Sequence, residues 1–222
     1  MIATKKTIPL LALCVAALQI GLAQSADEII KQVSANLNKS PWEATLVGTI
    51  QSDTGAVQEA EIRVQVLPGS DRLTRLEFKK PSALEGNWVL ISEKEVWNYL
   101  FLTNQLIIQN RATAKLAGLN DNITQLGDFD KISDRVALRL VGEENTPQGP
   151  AWRLSGAPKT AGQGFSTMEI LILKSDPRPL SLTVKDAGGK PLANLSVKDF
   201  KRSDLSAKGL KKYPADAAVV RK

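Results

Sequence analysis

From Trp42 onward, apolar residues recur at every second position in one segment after another, with short turns between the segments. Trp42, Ala44, Leu46, Gly48 and Ile50 share one side of the first segment. Ala60, Ile62, Val64 and Val66 repeat the pattern, interleaved with Glu59, Glu61, Arg63 and Gln65. A period of two places side chains on one face of an extended chain, and alternation with polar residues marks half-buried antiparallel strands. The same reasoning predicts strands over Leu73–Phe78, Asn87–Ser92, Glu95–Leu100, Leu106–Gln109, Arg135–Val141, Ala151–Leu154, Phe165–Leu173, Leu180–Lys185 and Leu192–Phe200. Helical spacing occurs in two places. Ile29, Ile30, Val33 and Leu37 follow an acidic first turn and stop before Ser40-Pro41, and Leu116, Leu119, Ile123 and Leu126 form a second stripe. The expected class is α+β, mainly β: a strongly curved antiparallel sheet, an incomplete barrel, with helices covering its concave face.

The amino end predicts export. Lys5 and Lys6 precede an apolar run from Ile8 to Ala23, and Gly21, Ala23, Ser25 and Ala26 supply small residues for cleavage. The run is shorter than the roughly 20 apolar residues that span a bilayer, and Gln19 interrupts it. We therefore expect a signal peptide over 1–25, a single domain over 26–222, and a periplasmic location. Cys14, the only cysteine, falls within the signal, so the mature chain is expected to rely on its core rather than on disulfides. Removing Lys5 and Lys6 lowers the formal charge of +6 by two. The remaining basic residues are scattered, apart from Lys208, Lys211, Lys212, Arg221 and Lys222. Such a pattern predicts a solvated tail and no nucleic-acid partner.

The residue inventory argues against catalysis. With no histidine and no mature cysteine, Ser-His-Asp and Cys-His nucleophiles and histidine-ligated zinc are excluded. Carboxylate pairs such as Asp128 with Asp130 and Glu143 with Glu144 read as solvated loop carboxylates, and adjacency on a strand would in any case send neighbours to opposite faces. No metal site, cofactor or catalytic residue is expected. A curved sheet under helices either packs solid or encloses an apolar cavity, and periodicity alone does not separate the two.

Phe78-Lys79-Lys80-Pro81, then Gly86, then Trp97-Asn98-Tyr99-Leu100 form a run that resembles the LolA-like superfamily of outer-membrane lipoprotein carriers and lipoprotein-sorting proteins. Arg139-Leu140-Val141-Gly142-Glu143-Glu144 before Trp152, Pro179-Leu180, and Tyr213-Pro214 followed by Ala218-Val219-Val220 fit in the same order, so the resemblance spans nearly the whole mature chain. It implies a monomeric, non-enzymatic periplasmic carrier that takes lipoprotein or lipid acyl chains from an inner-membrane ABC transporter toward an outer-membrane acceptor. Under that reading Leu116, Leu119, Ile123 and Leu126 form the underside of a lid, while Trp88, Leu90, Trp97 and Tyr99 contribute the sheet wall. Lys80 stands where such carriers place a lid-latching arginine, and Phe101 and Glu85 depart from the family pattern. The pattern does not decide whether Trp88 with Leu90 or Val89 with Ile91 looks inward. An alternative function for the same scaffold is an envelope sensor or assembly module that binds a partner protein.

Overall fold

The structure, a computed structural model, describes residues 24–52, 54–114, 132–162 and 164–222. Among these residues twelve strands form one open sheet: β1 (Trp42–Gln51), β2 (Val57–Leu67), β3 (Leu73–Lys80), β4 (Trp88–Ile91), β5 (Glu95–Leu100), β6 (Gln105–Asn110), β7 (Val136–Thr146), β8 (Gly149–Pro158), β9 (Thr167–Leu173), β10 (Arg178–Lys185), β11 (Pro191–Arg202) and β12 (Ala218–Arg221). The spatial order is β12-β6-β5-β4-β3-β2-β1-β11-β10-β9-β8-β7. Two antiparallel meanders, β1 to β6 and β7 to β11, are therefore joined where β1 pairs with β11. The predicted class is observed: mainly β, with one incomplete, curved sheet. Three short or medium α-helices accompany it among the described residues, α1 (Ala26–Leu37), α2 (Ile132–Arg135) and α3 (Ala207–Leu210).

Helix α1 starts with a reciprocal cap. Ser25 Oγ accepts from the Glu28 amide at 3.2 Å, and Glu28 Oε2 accepts from the Ser25 amide at 2.9 Å, satisfying two amides that the first helical turn leaves open. Processing that retains Ser25 retains this cap. In protein that begins at or before Ser25, the Ser25→Ala variant is expected to lose about 1 kcal/mol of stability in urea unfolding, whereas a chain that begins at Ala26 lacks this cap. At the other end, the buried Asn36 donates to Asp176 Oδ1 at 2.7 Å and to the Pro177 carbonyl at 3.0 Å, fixing the helix to the β9–β10 turn. Ile29, Ile30, Val33 and Leu37, the predicted stripe, are all buried against the second meander.

The inner face of the sheet is the one α1 covers. On the first meander it carries Ile62, Val64, Leu76, Phe78, Val89, Ile91 and Val96. On the second it carries Trp152, Leu154, Ile170, Ile172 and Val184. The outer face is not simply solvated. From β11 across to β3 runs a ladder of charges in register. Lys201 Nζ lies 2.9 Å from Glu43 Oε1, Arg63 Nη2 lies 2.5 Å from Glu43 Oε2, and Arg75 Nε lies 2.9 Å from Glu77 Oε1. Beyond it, residues 203–217 cross β3 to β6 before β12 pairs in parallel with β6.

Within the ladder, Glu43 sits under its neighbours with 7% of its surface exposed. Hydrogen bonds from Lys201 first, and then Arg63, hold its carboxyl at about 2, below the ordinary 4.5. A carboxyl depressed on folding stabilises above its unfolded pKa, so this contribution is complete above pH 4.5 and drains away as pH falls toward 2. Thermal melts should show wild type losing about 2 kcal/mol more than Glu43→Gln across that window, after allowance for solvent screening of the exposed Lys201 and Arg63. Parallel acid profiles would remove the ladder from the account.

Candidate functional site

A pocket opens on the inner face at the seam between the two meanders, enclosing about 690 Å³ with the open space at its mouth included. β1 supplies Trp42, Ala44 and Leu46, which is the side the sequence pattern grouped together. Val64 comes from β2, Leu195 and Val197 from β11, and Leu182 from β10. Leu37 closes it from the last turn of α1, and Arg72, just before β3, is the one charged side chain in its wall among the described residues. Its lining has the character of a ligand pocket, apolar with a small polar contribution at one end.

Two β-bulges build that end. On β11, Lys201 pairs with Glu43 and Lys198 with Thr45, so one residue is extra, and Asp199 adopts a left-handed φ of 51°. Leu195 and Val197 face inward before the bulge. The extra residue reverses the parity, so Phe200 and Arg202 face inward after it while Lys201 turns out to Glu43. On β10 the shift lies between Pro179 and Ser181; Leu180 is diverted to a small cluster with Ala151 and Leu173, and Pro179 enters the pocket wall. Phe200 then packs 5.6 Å from Trp42 between ring centroids, with the guanidiniums of Arg178 and Arg202 at 4.9 and 5.5 Å from its own centroid. Arg202 also donates to the Asn36 and Ser40 carbonyls, and Arg178 to Asp176 and Gln148. The Trp42 Nε1 is buried and has no hydrogen-bond partner among the described residues, a donor that an oxygen of a bound molecule would satisfy.

The residues expected to line a cavity are distributed differently. Trp88, Leu90 and Tyr99 are buried on the outer face with Leu106, Ile108 and Leu210, and Trp97 packs against the same cluster. Trp88 stacks on Tyr99 at 5.4 Å, Arg75 lies 4.0 Å over Trp88, and Tyr213 meets Trp97 edge-on at 6.2 Å. Their alternation partners Val89 and Ile91 take the inward position. The four therefore seat the carboxy-terminal segment and do not line this pocket. Both faces of β4 and β5 are buried, so alternation carried no sign of which face was inner. Leu116, Leu119, Ile123 and Leu126 lie outside the described residues. Lys80 Nζ donates to Glu59 Oε2 at 2.8 Å on the surface, an ion pair within the sheet. Glu143 and Glu144 are paired with Lys174 and Arg153 respectively.

The open, mostly antiparallel sheet with α1 laid on its inner face is the incomplete barrel that the sequence pattern implied. An uncharacterized conserved protein from Thermus thermophilus is 43% identical, matches over 89% of this chain and 99% of its own, and superposes with a TM-score of 0.68. This chain belongs to the same family as that protein. At the level of the fold, MucB superposes with a TM-score of 0.53 at 17% identity, covering 88% of this chain, which spans 65% of the MucB chain. A DUF1329 family protein from Desulfovibrio piger gives 0.50 at 15% identity over 81% of this chain and 93% of its own. No protein-family model matches the sequence, and no curated protein does.

Proposed function

We propose that the protein is a non-enzymatic periplasmic carrier that shields the acyl chain of a lipoprotein or lipid in the pocket at the β1–β11 seam. The observation that carries this reading is the pocket itself: apolar walls from four strands and α1, open to solvent, beside two buried apolar clusters on the same face. Each exposed methylene costs about 0.8 kcal/mol in water, so a long acyl chain crossing an aqueous compartment needs such an enclosure. Leu116, Leu119, Ile123 and Leu126 keep their proposed role as apolar cover. Ala114 and Ile132, which flank their segment, both pack on the inner-face clusters. In this reading the protein works as a monomer between an inner-membrane ABC transporter and an outer-membrane acceptor, with no cofactor.

The test is native mass spectrometry of the protein isolated from its own envelope, before and after organic extraction. A removable adduct of lipid or lipopeptide mass is expected. A bare chain that also refuses added acyl lipids overturns the carrier reading in favour of the second one, an envelope sensor or assembly module. That reading draws on β7, an eleven-residue strand that ends the sheet and, among the described residues, pairs only with β8. A Pseudomonas aeruginosa protein with a TM-score of 0.51, MucB, is known as a complex with MucA.

A further inference from the structure

We infer that the pocket selects an amphiphile with an anionic head, and that the head lies at the end of the seam where Arg72, Arg178 and Arg202 stand; this rests on the carrier reading above. The pairing pattern puts the three arginines at one end of the seam. Trp42 is the register partner of both Arg202 and Val66, Arg72 stands immediately before Leu73, which pairs with Leu67, and Arg178 opens β10 beside Pro179. Arg72 and Phe200 are both pocket walls, and the guanidiniums of Arg178 and Arg202 both lie against the Phe200 ring. The rest of the lining, from Ala44, Leu46, Val64, Leu182, Leu195 and Val197, is apolar. The site is thus amphipathic along its length, as its ligand must be.

Arginine suits this position for chemical reasons. A guanidinium is planar, weakly hydrated and always charged, and it offers paired donors that match the oxygens of a carboxylate or phosphate. Contact with Phe200 orients two of the three. Asp176 offsets the charge of Arg178, with Oδ2 at 3.0 Å from Nε. Arg202 instead bonds neutral acceptors on Asn36 and Ser40, which orient the guanidinium without cancelling its charge. Trp42 Nε1 adds a neutral donor at the same end.

Trp42 also supplies the readout. Two lysophospholipids with the same brominated acyl chain, one with a phosphatidylglycerol head and one with a phosphatidylcholine head, are titrated into the full mature protein while tryptophan quenching is followed, with Trp42→Phe as the control for position. We expect the phosphatidylglycerol form to bind at least tenfold tighter, Arg72→Gln to remove most of that preference, and Arg72→Lys to retain part of it. Should Arg72→Gln not fold, raising the salt concentration on wild type should erode the preference while leaving phosphatidylcholine binding unchanged. Equal affinity for the two heads overturns the inference and leaves the carrier reading standing. Failure of both to quench Trp42 overturns the carrier reading itself. Inorganic phosphate that stabilises the protein without any acyl chain, and competes with neither lipid, would assign the arginines to a free anion and also overturn the inference.

Discussion

Replacing Arg75 with alanine is expected to lower the unfolding free energy by about 3 kcal/mol and to free the carboxy-terminal segment for proteolysis. Arg75 is 9% exposed and holds several partners at once. Its Nε bonds Glu77, its Nη1 donates to the carbonyls of Leu210 at 2.6 Å and Lys212 at 3.0 Å, and its plane covers Trp88. Burial pulls its pKa down, which the Glu77 carboxylate opposes. Truncation leaves two carbonyls and a carboxylate without that donor under a segment that also buries Trp88, Leu90 and Tyr99. Lysine at this position keeps the charge but loses the fork, so an intermediate loss is expected. Urea unfolding gives the magnitude, and limited proteolysis followed by mass measurement gives the location of the first cut. An unchanged cleavage pattern in Arg75→Ala would show that the segment is held by its apolar contacts alone.

Filling the pocket should have the larger functional effect. Val197 is half-exposed in the wall between Leu195 and the Asp199 bulge, so the Val197→Trp side chain extends into the pocket and should cost about 1–3 kcal/mol of stability at most. Acyl uptake should fall more than tenfold, measured as adduct abundance in native mass spectra at fixed lipid. Leu182→Glu tests the same wall by polarity, since a carboxylate facing Leu195 across the β10–β11 pair is costly beside a hydrocarbon chain. Uptake that survives both changes, in folded protein, places the binding site elsewhere.

The repeated alternation made most of this sheet legible, along with the first helix, because a half-buried strand and an amphipathic helix leave different periods in the sequence. Trp42, Ala44 and Leu46 could be grouped on one side for that reason, and they do share the pocket. What alternation does not record is an insertion of one residue. The bulges at Asp199 and Leu180 leave no apolar signature of their own, yet they decide that Phe200 and Pro179 face the pocket. The outer-face cluster was missed for a related reason. Trp88 and Leu90 look as deeply buried as Val89 and Ile91, and are, but what covers them is a tail whose lysines suggested a solvated end. Leu210 and Tyr213, apolar positions among those lysines, were the available signal. Lys80, singled out by the family resemblance, joins a surface pair with Glu59.

The seam between the meanders also dictates an order of events. β1 is synthesised well before its neighbour β11, and Thr49 and Asn194 meet as register partners. Contacts this remote in sequence form late and slowly, because the whole intervening loop must be closed first. The pocket takes walls from both sides of that junction, so a partly synthesised or carboxy-terminally truncated chain has no pocket to load. Under the carrier reading, capture is thereby confined to chains that have completed β11, and a chain stalled before Pro191 leaves the length of β1 as an open edge for pairing with other copies.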